Sequence, residues 1–294
     1  MRTGFVGIIG RPNVGKSTLL NSILGEKVAI TTDKPQTTRN IIRGIYTKRQ
    51  KDDVVQIIFI DTPGIHKPRN KLGGYMTDTA KNTLKEVDVI IFIVSSEPGA
   101  GDNYITELLT DVSTPKILAI NKIDLIEPDK FREIYEEYEK LELFDHIFGI
   151  SALEGKNVDV LTKTVEGLMG EGPMYFPEDL VTDQPLRVIA SEIIREKVLM
   201  YLEEEIPHGV AVEIESFREL PEITEISALI YCEKKSHKGM IIGREGRKLK
   251  GIGKSARMEL EALFGVKVFL EFWVKVKENW RDSERAMSNF GYRK

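Results

Sequence analysis

The sequence predicts an α/β domain with a mostly parallel sheet over residues 1–172, followed by a smaller α+β domain over residues 185–294. Three observations carry this prediction. In the first part, short apolar runs rich in β-branched residues alternate with amphipathic helical segments, as in a parallel sheet covered on both faces. In the second part the order changes to helix, two strands, two helices, strand and helix, which indicates helices on one side of a three-stranded sheet. A stretch rich in Gly and Pro separates the two parts, and we expect a linker at 173–184.

The elements of the first domain follow from their residue patterns. Strands are expected where β-branched apolar runs occur, at 5–10, 41–48, 54–60, 89–94, 116–121 and 146–151. Helices are expected where apolar residues recur every three or four positions, at 18–24, 70–85, 103–112, 129–141 and 158–169. Because only a polar turn joins the second and third strands, we expect these two to pair as an antiparallel hairpin.

The second domain contains fewer elements. We expect helices at 185–206 and 278–290, and strands at 210–217, 225–233 and 266–276, with two further helices in the basic region between the last two strands. Both tryptophans, Trp273 and Trp280, are expected to be packing residues rather than platforms on which bases stack.

The composition limits the class of protein. A chain of 294 residues with 41% hydrophobic and 30% charged residues is long enough for two cores and typical of a soluble globular protein. No apolar run reaches the roughly 18 residues of a membrane span, and the early start of the first strand leaves no room for a signal peptide. The single cysteine, Cys232, excludes an internal disulfide and is expected to be buried. We therefore expect a cytoplasmic protein.

The stretch from Gly10 to Ser17 reads GRPNVGKS and matches the phosphate-binding pattern GxxxxGK[ST] between a strand and a helix. Gly10 and Gly15 allow a tight turn in which several backbone N–H groups point at one anion. Lys16 can reach the outer phosphates of a nucleotide, Ser17 can bind Mg²⁺, and the helix N-terminus adds a favourable dipole. A plain glycine turn would share the pattern, but the strand–loop–helix context favours the phosphate loop.

A second motif, Asp61-Thr62-Pro63-Gly64, ends the third predicted strand. Asp61 can hold Mg²⁺ through water, and Gly64 can offer a backbone N–H to a terminal phosphate. Alone, this tetrapeptide is also a common turn. Its position after a phosphate loop favours the binding interpretation.

A third motif, Asn121-Lys122-Ile123-Asp124, predicts which base is bound. The Asp124 carboxylate can accept two hydrogen bonds from the N1–H and the amine of guanine, which adenine lacks. Leaving such a carboxylate buried without a partner would be costly, so guanine is favoured. Asn121 and Lys122 would brace the loop and cover the base. The later segment Ser151-Ala152-Leu153 could supply a backbone N–H to the guanine carbonyl.

These motifs, in this order, resemble those of the Ras-like P-loop GTPases. The sequences GRPNVGKST, QTTRN and DTPG are similar to the branch related to translation factors that includes the Era, EngA and MnmE families. The resemblance implies GTP hydrolysis, with Mg²⁺ held by Ser17, Asp61 and a threonine of the first switch, Thr38 by preference and Thr37 otherwise. The catalytic residues that it implies are Lys16, Thr38, Gly64 and Asn13. The nucleotide contacts that it implies are Gly10, Arg11, Pro12, Asn13, Val14, Gly15, Lys16, Ser17, Thr18, Thr37, Thr38, Asp61, Gly64, Asn121, Lys122, Asp124, Ser151, Ala152 and Leu153.

Ile65 departs from the Ras pattern, which has a glutamine at this position that orients the attacking water. An isoleucine side chain can neither donate nor accept a hydrogen bond, so hydrolysis is expected to be slow unless another group stabilises the transition state. In related families an asparagine of the phosphate loop binds K⁺, and Asn13 matches that position. K⁺ is therefore a candidate cofactor beside GTP, GDP and Mg²⁺.

Nine basic residues lie between Lys234 and Arg257, and only Glu245 opposes them, although the formal net charge of the chain is −4. Within this basic cluster, the sequence from Gly243 to Gly246 joins two predicted helices. Such a GxxG turn lets a single nucleic-acid strand pack against the backbone, with Ile241 and Ile242 expected to form the groove for the bases. A charge run is usually a solvated helix face and a GxxG a helix–helix turn, but the two together favour RNA binding.

The second part resembles a KH domain of the second topology over residues 185–276. Arg244 fits the basic residue often found between the glycines, whereas Glu245 departs from that pattern and would weaken phosphate contacts or select the strand that is contacted. His237 could touch phosphate but could equally be a surface histidine. The RNA contacts so implied are Lys235, His237, Lys238, Gly239, Ile241, Ile242, Gly243, Arg244, Gly246, Arg247, Lys248 and Lys250.

The chain as a whole, ending in FWVKVKENWRDSE, closely resembles the Era family. This implies a monomer that binds the 3′ end of 16S ribosomal RNA, assists its processing and the assembly of the 30S subunit, and associates weakly with the inner membrane. The basic cluster could also contact anionic lipid, although a groove beside the charge favours RNA. Two other functions are kept open: a GTPase that supports tRNA modification, for which the modification machinery is missing, and an RNA chaperone with a purely structural nucleotide domain, against which Lys16, Asp61 and Asp124 argue.

Overall fold

The structure, a computed structural model, describes residues 1–51, 53–202 and 207–293. The chain forms two compact units. The first comprises residues 1–31, 38–69 and 73–183, and the second comprises residues 32–37, 70–72 and 184–294.

The first unit contains a seven-stranded sheet. Its strands are β1 (Arg2–Ile9), β2 (Ile42–Gln50), β3 (Asp53–Asp61), β4 (Val89–Val94), β5 (Lys116–Ile120), β6 (His146–Gly149) and β7 (Gly170–Glu171). The strand order is β2-β3-β1-β4-β5-β6, and β7 pairs with β1. All pairs are parallel except β2 with β3 and β7 with β1, so the predicted mostly parallel sheet and its hairpin are confirmed. The two-residue strand β7 is too short to leave a periodic signal in the sequence.

Five helices cover the two faces of this sheet. They are α1 (Lys16–Leu24), α2 (Lys71–Thr83), α3 (Ala100–Thr110), α4 (Pro128–Glu139) and α5 (Val158–Leu168). Residues of α1 and α5 pack in one apolar cluster, and residues of α2, α3 and α4 pack in a second cluster. All six residues of β4 are buried, as expected for a central parallel strand with helices on both sides.

The second unit has the predicted order of elements. These are α6 (Leu186–Met200), β8 (Ala211–Glu219), β9 (Ile223–Cys232), α7 (Lys235–Ile242), α8 (Arg247–Phe264), β10 (Lys267–Val276) and α9 (Glu284–Asn289). The three-stranded sheet has the order β10-β9-β8, with β10 parallel and β8 antiparallel to β9. One apolar cluster joins α6, α7 and α8 to one face of the sheet.

Two helices of the second unit differ in extent from the sequence prediction. The helix expected at 185–206 ends at Met200, and the last four residues of that prediction lie outside the described residues. The helix expected at 278–290 is instead a short 3₁₀ turn at Trp280–Asp282 followed by α9. Asn279 adopts a left-handed conformation with φ 50°, and Ser283 caps α9 by accepting a hydrogen bond from the Ala286 N–H at 3.3 Å. The left-handed Asn279 thus starts the 3₁₀ turn, and the Ser283 cap starts α9, so the segment is not one continuous helix.

The two tryptophans have opposite environments. Trp280 is fully buried, donates from Nε1 to the Gly209 carbonyl at 2.9 Å and stacks with Tyr292, so its predicted packing role is confirmed. Trp273 is 46% exposed on β10, so the structure does not support its predicted role as a packing residue. Periodicity alone does not say which face of a strand is covered, because both faces of β10 carry large apolar residues.

Candidate functional site

Three side-chain oxygens from separate parts of the first unit meet beside the phosphate loop. The Ser17 hydroxyl lies 2.6 Å from Asp61 Oδ2 and 2.8 Å from the Thr38 hydroxyl, and the Thr38 hydroxyl lies 3.3 Å from Asp61 Oδ2. Ser17 is in the first turn of α1, Asp61 ends β3, and Thr38 lies between α1 and β2. All three residues are buried. We call these oxygens of Ser17, Thr38 and Asp61 the oxygen cluster; they belong to the three residues that the sequence predicts as ligands of Mg²⁺.

The oxygen cluster has the electrostatic character of a cation site. Burial raises the pKa of Asp61 to about 6, although Lys16, Ser17 and Thr38 favour its ionised form. The second carboxylate oxygen, Asp61 Oδ1, is buried and has no hydrogen-bond partner among the described residues. Carboxylate and hydroxyl oxygens are ligands that suit Mg²⁺, and the unsatisfied Asp61 Oδ1 could accept a hydrogen bond from a water bound to the ion. Within the described ranges no group of three or more His, Cys, Asp or Glu side chains is arranged to hold a metal ion.

Lys16 is held over the phosphate loop. Its ammonium donates to the carbonyl oxygens of Arg11 at 2.8 Å and of Gly10 at 3.3 Å. Burial lowers the pKa of Lys16 to about 8, and the neighbouring Asp61 carboxylate opposes that shift. The Arg11 side chain itself points elsewhere, because its guanidinium donates to Asp102 Oδ1 at 2.8 Å and to the Ser96 hydroxyl at 3.0 Å. Only the backbone of Arg11 therefore faces the loop.

The two glycines of the loop are required by its backbone. Gly10 and Gly15 have φ values of 156° and 104°. A Cβ atom at Gly10 would overlap the Ile93 carbonyl oxygen, and one at Gly15 would overlap the Asn121 side-chain amide. Val14 is buried in the first apolar cluster, whereas Asn13 is exposed with φ 65°. Pro12 and Thr18 are partly exposed beside them. The loop is thus fixed on its inner side and open on its outer side.

The two threonines of the predicted first switch have different partners. Thr38 contributes to the oxygen cluster, whereas the Thr37 hydroxyl donates to the Lys34 carbonyl at 2.6 Å and lies 2.6 Å from the Thr32 hydroxyl. Thr37 is therefore part of a local turn at 32–37, a segment of the second unit. The preference for Thr38 over Thr37 agrees with this arrangement.

The segment after β3 packs against the phosphate loop. A Cβ atom at Gly64 would lie 2.6 Å from the Pro12 nitrogen, so only glycine permits this approach. The Ile65 N–H donates to the Gly10 carbonyl at 3.1 Å. The Ile65 side chain is fully buried in the second apolar cluster of this unit and does not face the surface of the loop.

Asn121 connects the three loops around the predicted base site. Its amide donates to the Val14 carbonyl at 2.8 Å, and its Oδ1 accepts from the Ala152 N–H at 2.9 Å. Lys122 donates from Nζ to the Asn13 carbonyl at 2.9 Å. These three hydrogen bonds support the predicted role of Asn121 and Lys122 in bracing the loop.

Asp124 and the segment at 151–153 are placed differently from each other. Asp124 is exposed, so the energetic argument for guanine applies to this carboxylate only once a base covers it. The Ser151 N–H is paired with the Lys156 carbonyl at 3.1 Å, and the Ala152 N–H with Asn121. Within the part of the chain that the structure describes, the Leu153 N–H has no such partner, and its side chain is exposed.

Asp102 is a positioning residue that motif analysis missed. It is fully buried in the first turn of α3, where one carboxylate oxygen accepts from Arg11 and the other accepts from the Gly99 N–H at 3.2 Å. It thereby ties the phosphate loop to the start of α3. A Gly followed three residues later by Asp is a helix-start signal, but nothing in the sequence connects it to Arg11.

The basic cluster of the second unit surrounds the turn between α7 and α8. Gly243 and Gly246 have φ values of 72° and 73°, and Glu245 between them has φ 55°. The turn leads into the N-terminus of α8 at Arg247. Eight of the nine cations are exposed, and Lys248 is partly exposed. Glu245 accepts from Arg247 at 2.8 Å and lies 4.0 Å from Arg244, so it partly neutralises the turn.

Among the predicted RNA contacts, Ile241 requires correction. Ile241 is fully buried in the core of the second unit and cannot contact a base, whereas Ile242 is partly exposed. The two residues are adjacent on α7, so they point about 100° apart around the helix. The other predicted contacts are exposed or partly exposed: Lys235, His237, Lys238, Gly239, Gly243, Arg244, Gly246, Arg247, Lys248 and Lys250. None of the helices among the described residues has the length and apolar character needed to cross a membrane.

Comparison with known proteins identifies both units. Residues 5–122 match the family model described as "50S ribosome-binding GTPase", and residues 205–281 match the model described as "KH domain". The protein named GTPase Era from Alkaliphilus oremlandii is 58% identical over 295 residues, covering 99% of each chain. GTPase Era from Clostridioides difficile is 55% identical, covering 99% of this chain and 98% of its own length.

Two solved structures superpose on the chain over 99% of both lengths with a TM-score of 0.95. One, 42% identical, is Era in complex with MgGDPNP and nucleotides 1506–1542 of 16S ribosomal RNA. The other, 41% identical, is a variant of Aquifex aeolicus Era bound to GDP·AlF₄⁻. The fold and the site define a Ras-like P-loop GTPase joined to a C-terminal KH domain. The chain belongs to the Era family of GTPases, and the resemblance noted from its motifs is confirmed.

Proposed function

We propose that this GTPase is a nucleotide-dependent switch that binds the 3′ end of 16S ribosomal RNA and assists its processing and the assembly of the 30S subunit. The observation that carries the proposal is the meeting of the Ser17, Thr38 and Asp61 oxygens. It brings the segment containing Thr38 and the segment that follows β3 to one point beside the phosphate loop. A terminal phosphate bound there would contact both segments, and its loss would release them.

In this proposal the phosphate loop binds the phosphates of GTP or GDP, and the oxygen cluster holds Mg²⁺. Bound Mg²⁺ neutralises negative charge on the phosphate oxygens. Lys16 moves from the loop carbonyls to the outer phosphates, a short step for a side chain already held over the loop. Asp124 selects guanine. Asn121 fixes the loops on either side of the base relative to each other through its hydrogen bonds to Val14 and Ala152. The Leu153 N–H, which has no backbone partner among the described residues, donates to the guanine carbonyl.

We also propose that hydrolysis is slow without a further cation. The buried side chain of Ile65 supplies no hydrogen-bonding group for water, so stabilisation of the terminal phosphate depends on Lys16, the Gly64 N–H and Thr38. The exposed Asn13 on the outer side of the loop is the candidate ligand for K⁺. GTP turnover of the wild type should be faster in KCl than in NaCl, and Asn13→Ala should remove that difference while GDP affinity is kept. Equal turnover in both salts for the wild type would contradict the role of K⁺.

The RNA partner is proposed from the exposed basic cluster, the GxxG turn and the kinship with an Era that binds nucleotides 1506–1542. A GxxG turn next to a helix N-terminus offers backbone N–H groups to phosphates, and the surrounding cations add attraction. RNA is preferred over a lipid surface because a turn without side-chain bulk fits a strand and serves no purpose on a membrane. Vesicles containing anionic lipid provide the comparison, and tighter binding to vesicles than to RNA would overturn this choice.

The central test measures GTP turnover and RNA binding together. A 16S 3′-end RNA should change the GTPase rate, and the chain should bind that RNA more tightly with a GTP analogue than with GDP. Tight RNA binding with no effect of either nucleotide would instead favour an RNA chaperone whose nucleotide domain is structural. Crosslinking to total RNA, mapped to single nucleotides, should give sites at the 16S 3′ end, and enrichment on tRNA would favour a role in tRNA modification.

A further inference from the structure

The edge strand β10 exposes two aromatic side chains on the face of the sheet opposite α6, α7 and α8, where the end of α9 covers only the neighbouring Tyr231. Side chains alternate along this strand, with Val268 and Val274 buried against the helices. Phe269 and Trp273, on the other face, are 51% and 46% exposed. Two large aromatic side chains on the same face of one strand form a small exposed aromatic patch rather than an isolated exposed residue. The residues of this outer face of β10 are Lys267, Phe269, Glu271, Trp273 and Lys275.

The neighbouring strand provides a firm base for this outer face. Leu229 of β9 is the register partner of Trp273 and is 4% exposed. Its side chain is therefore a buried apolar neighbour of the exposed indole. Phe269 and Trp273 are four residues apart, which puts their Cα atoms about 13 Å from each other along the strand. Two rings at this separation could each hold one base of an extended single strand, with one or two nucleotides between them.

The positive and negative charges on this face nearly cancel. Glu225 of β9 is within 3.7 Å of Arg218, and Glu213 of β8 accepts a hydrogen bond from Tyr231 at 3.0 Å. On β10 itself, the two lysines outnumber the single glutamate, and none of the three has an ion-pair partner among the described residues. Over the three strands, Arg218, Lys267 and Lys275 face the carboxylates of Glu213, Glu215, Glu225 and Glu271, a net of −1, so RNA would be held here by stacking on the rings and not by attraction of its phosphates.

The outer face and the GxxG turn belong to one packed body. Both α7 and α8, which flank the turn, pack against β10. A GxxG groove clamps about four nucleotides, so a longer RNA must continue past it. The RNA in the related Era complex runs from nucleotide 1506 to 1542 and is 37 nucleotides long. Strand β10 is thus a surface that the rest of such an RNA can reach.

We propose that Phe269 and Trp273 form a second RNA site, on which unpaired bases outside the GxxG groove stack. This inference rests on the proposed RNA-binding function and adds to it a site of distinct chemistry. The groove recognises the backbone of a short segment through N–H groups and cations, whereas this outer face takes the aromatic surfaces of bases. The site is sequence-tolerant, because every base has an aromatic face.

Intrinsic fluorescence tests the stacking directly, because the chain has two tryptophans and only one is exposed. Trp280 is fully buried, so RNA stacking should quench only the red-shifted emission of Trp273. The full chain is titrated with a 37-nucleotide 16S 3′-end RNA and with an RNA of about eight nucleotides that fills the groove alone. Quenching by the long RNA and not by the short one, absent in Trp273→Phe, is expected. Unchanged Trp273 emission in the presence of bound long RNA would overturn the proposal.

Affinity measurements with matched variants complete the test. Trp273→Ala and Phe269→Ala should each weaken binding of the long RNA by roughly 5- to 150-fold, the range for loss of one stacked base. Binding of the short RNA should not change. Trp273→Phe should retain most of the affinity, and Met258→Ala, which removes a 59% exposed apolar side chain from α8, should have no effect.

The outcomes separate this site from the proposed function. If the wild type binds neither RNA, the proposed function fails and the second site fails with it. If both RNAs bind equally well and Trp273→Ala changes neither affinity, RNA binding stands and the second site is overturned. A change in self-association of Trp273→Ala on sedimentation, with RNA affinity unchanged, would identify the face as a protein contact and would also overturn the proposal.

Discussion

Asn121 is a single side chain on which the geometry of the nucleotide site depends. It bonds to the Val14 carbonyl and the Ala152 N–H, both of them buried groups. Asn121→Ala would remove both bonds and leave two buried polar groups unsatisfied. We expect a loss of about 2–4 kcal/mol in the free energy of unfolding, measured by urea denaturation without nucleotide.

Asp124→Asn is the matched control, because Asp124 is exposed and its carboxylate has no hydrogen bond or ion pair with any described residue. Its free energy of unfolding should stay within about 0.5 kcal/mol of the wild type. Its nucleotide preference should change, since the amide has one acceptor oxygen and one donor NH₂, which match the N1–H and C2 carbonyl of xanthine but cannot both accept from the N1–H and the amine of guanine. Equal losses of stability in the two variants would show that Asn121 does not have the bracing role.

Comparison with Ras-type enzymes suggests that a glutamine in place of Ile65 would speed hydrolysis, but the burial of Ile65 predicts no such increase. Because its side chain lies fully in the core, replacing it with the glutamine of Ras-type enzymes would bury an amide rather than place it beside a nucleotide. Ile65→Gln should lower the free energy of unfolding by about 2–4 kcal/mol and give no increase in GTP turnover. Faster turnover with unchanged stability would mean that the segment after Gly64 reorients when GTP binds.

At the scale of elements, the turn between α7 and α8 uses its two glycines differently. Both have positive φ, but a Cβ at Gly243 would lie 2.7 Å from Lys248 Cβ, whereas a Cβ at Gly246 would meet nothing within 4 Å. Gly243→Ala should therefore cost about 2–4 kcal/mol of unfolding free energy, and Gly246→Ala only about 1 kcal/mol.

RNA binding should show the reverse order in properly folded protein. The methyl group of Gly246→Ala would project into the space beside the turn where a strand is proposed to pack, so this variant should weaken binding of a short RNA without unfolding the unit. Thermal melting and RNA titration on the same samples would check both properties. Undiminished RNA affinity in Gly246→Ala would remove the turn from the proposed groove.

Elements were predictable where the local pattern and the buried environment agree. Strand β4 has the bounds that its apolar run predicts, because a central parallel strand is buried on both faces. The order of elements in the second unit was also predictable from alternating strands and a Gly-flanked helix pair. Helix ends and short pieces were not, since the break at Asn279 and the two-residue strand β7 depend on single backbone conformations.

Site residues were predictable where a motif fixes the backbone. They were less predictable where the role of a residue depends on whether its side chain is buried or exposed. The phosphate loop, Asp61 and Asn121 lie together because parallel strands end at the same edge of a sheet. The outward exposure of Trp273, the burial of Ile241 and the pairing of Asp102 with Arg11 all depend on which surface a neighbour covers. A sequence does not state this for residues far apart along the chain.

At the scale of the whole molecule, the charge is distributed unevenly. The chain carries a formal net charge of −4, with −5 in its first 179 residues and +1 in the remainder. Attraction of RNA must therefore come from the local basic cluster rather than from the net charge. Plots of log affinity against log salt for a short RNA should be linear, with a slope of about −0.7 for each phosphate neutralised.

Single charge removals should report which cations take part. Lys238→Gln and Arg244→Gln should each make the slope shallower by about 0.7 if the residue contacts a phosphate of single-stranded RNA. Lys163→Gln, an exposed lysine on α5 of the first unit, is the control and should leave the slope unchanged. A slope that none of these substitutions alters would place the phosphate contacts outside the turn.

The burial of Cys232 has a practical consequence for work on this GTPase. The only thiol of the chain is fully buried, and burial raises its pKa, so it is shielded from maleimide dyes and spin labels. A cysteine introduced at an exposed position, such as Met258 or Leu153, would then be the single reactive site. Reporter groups could be attached one at a time without first replacing a native cysteine, which keeps the core of the second unit intact.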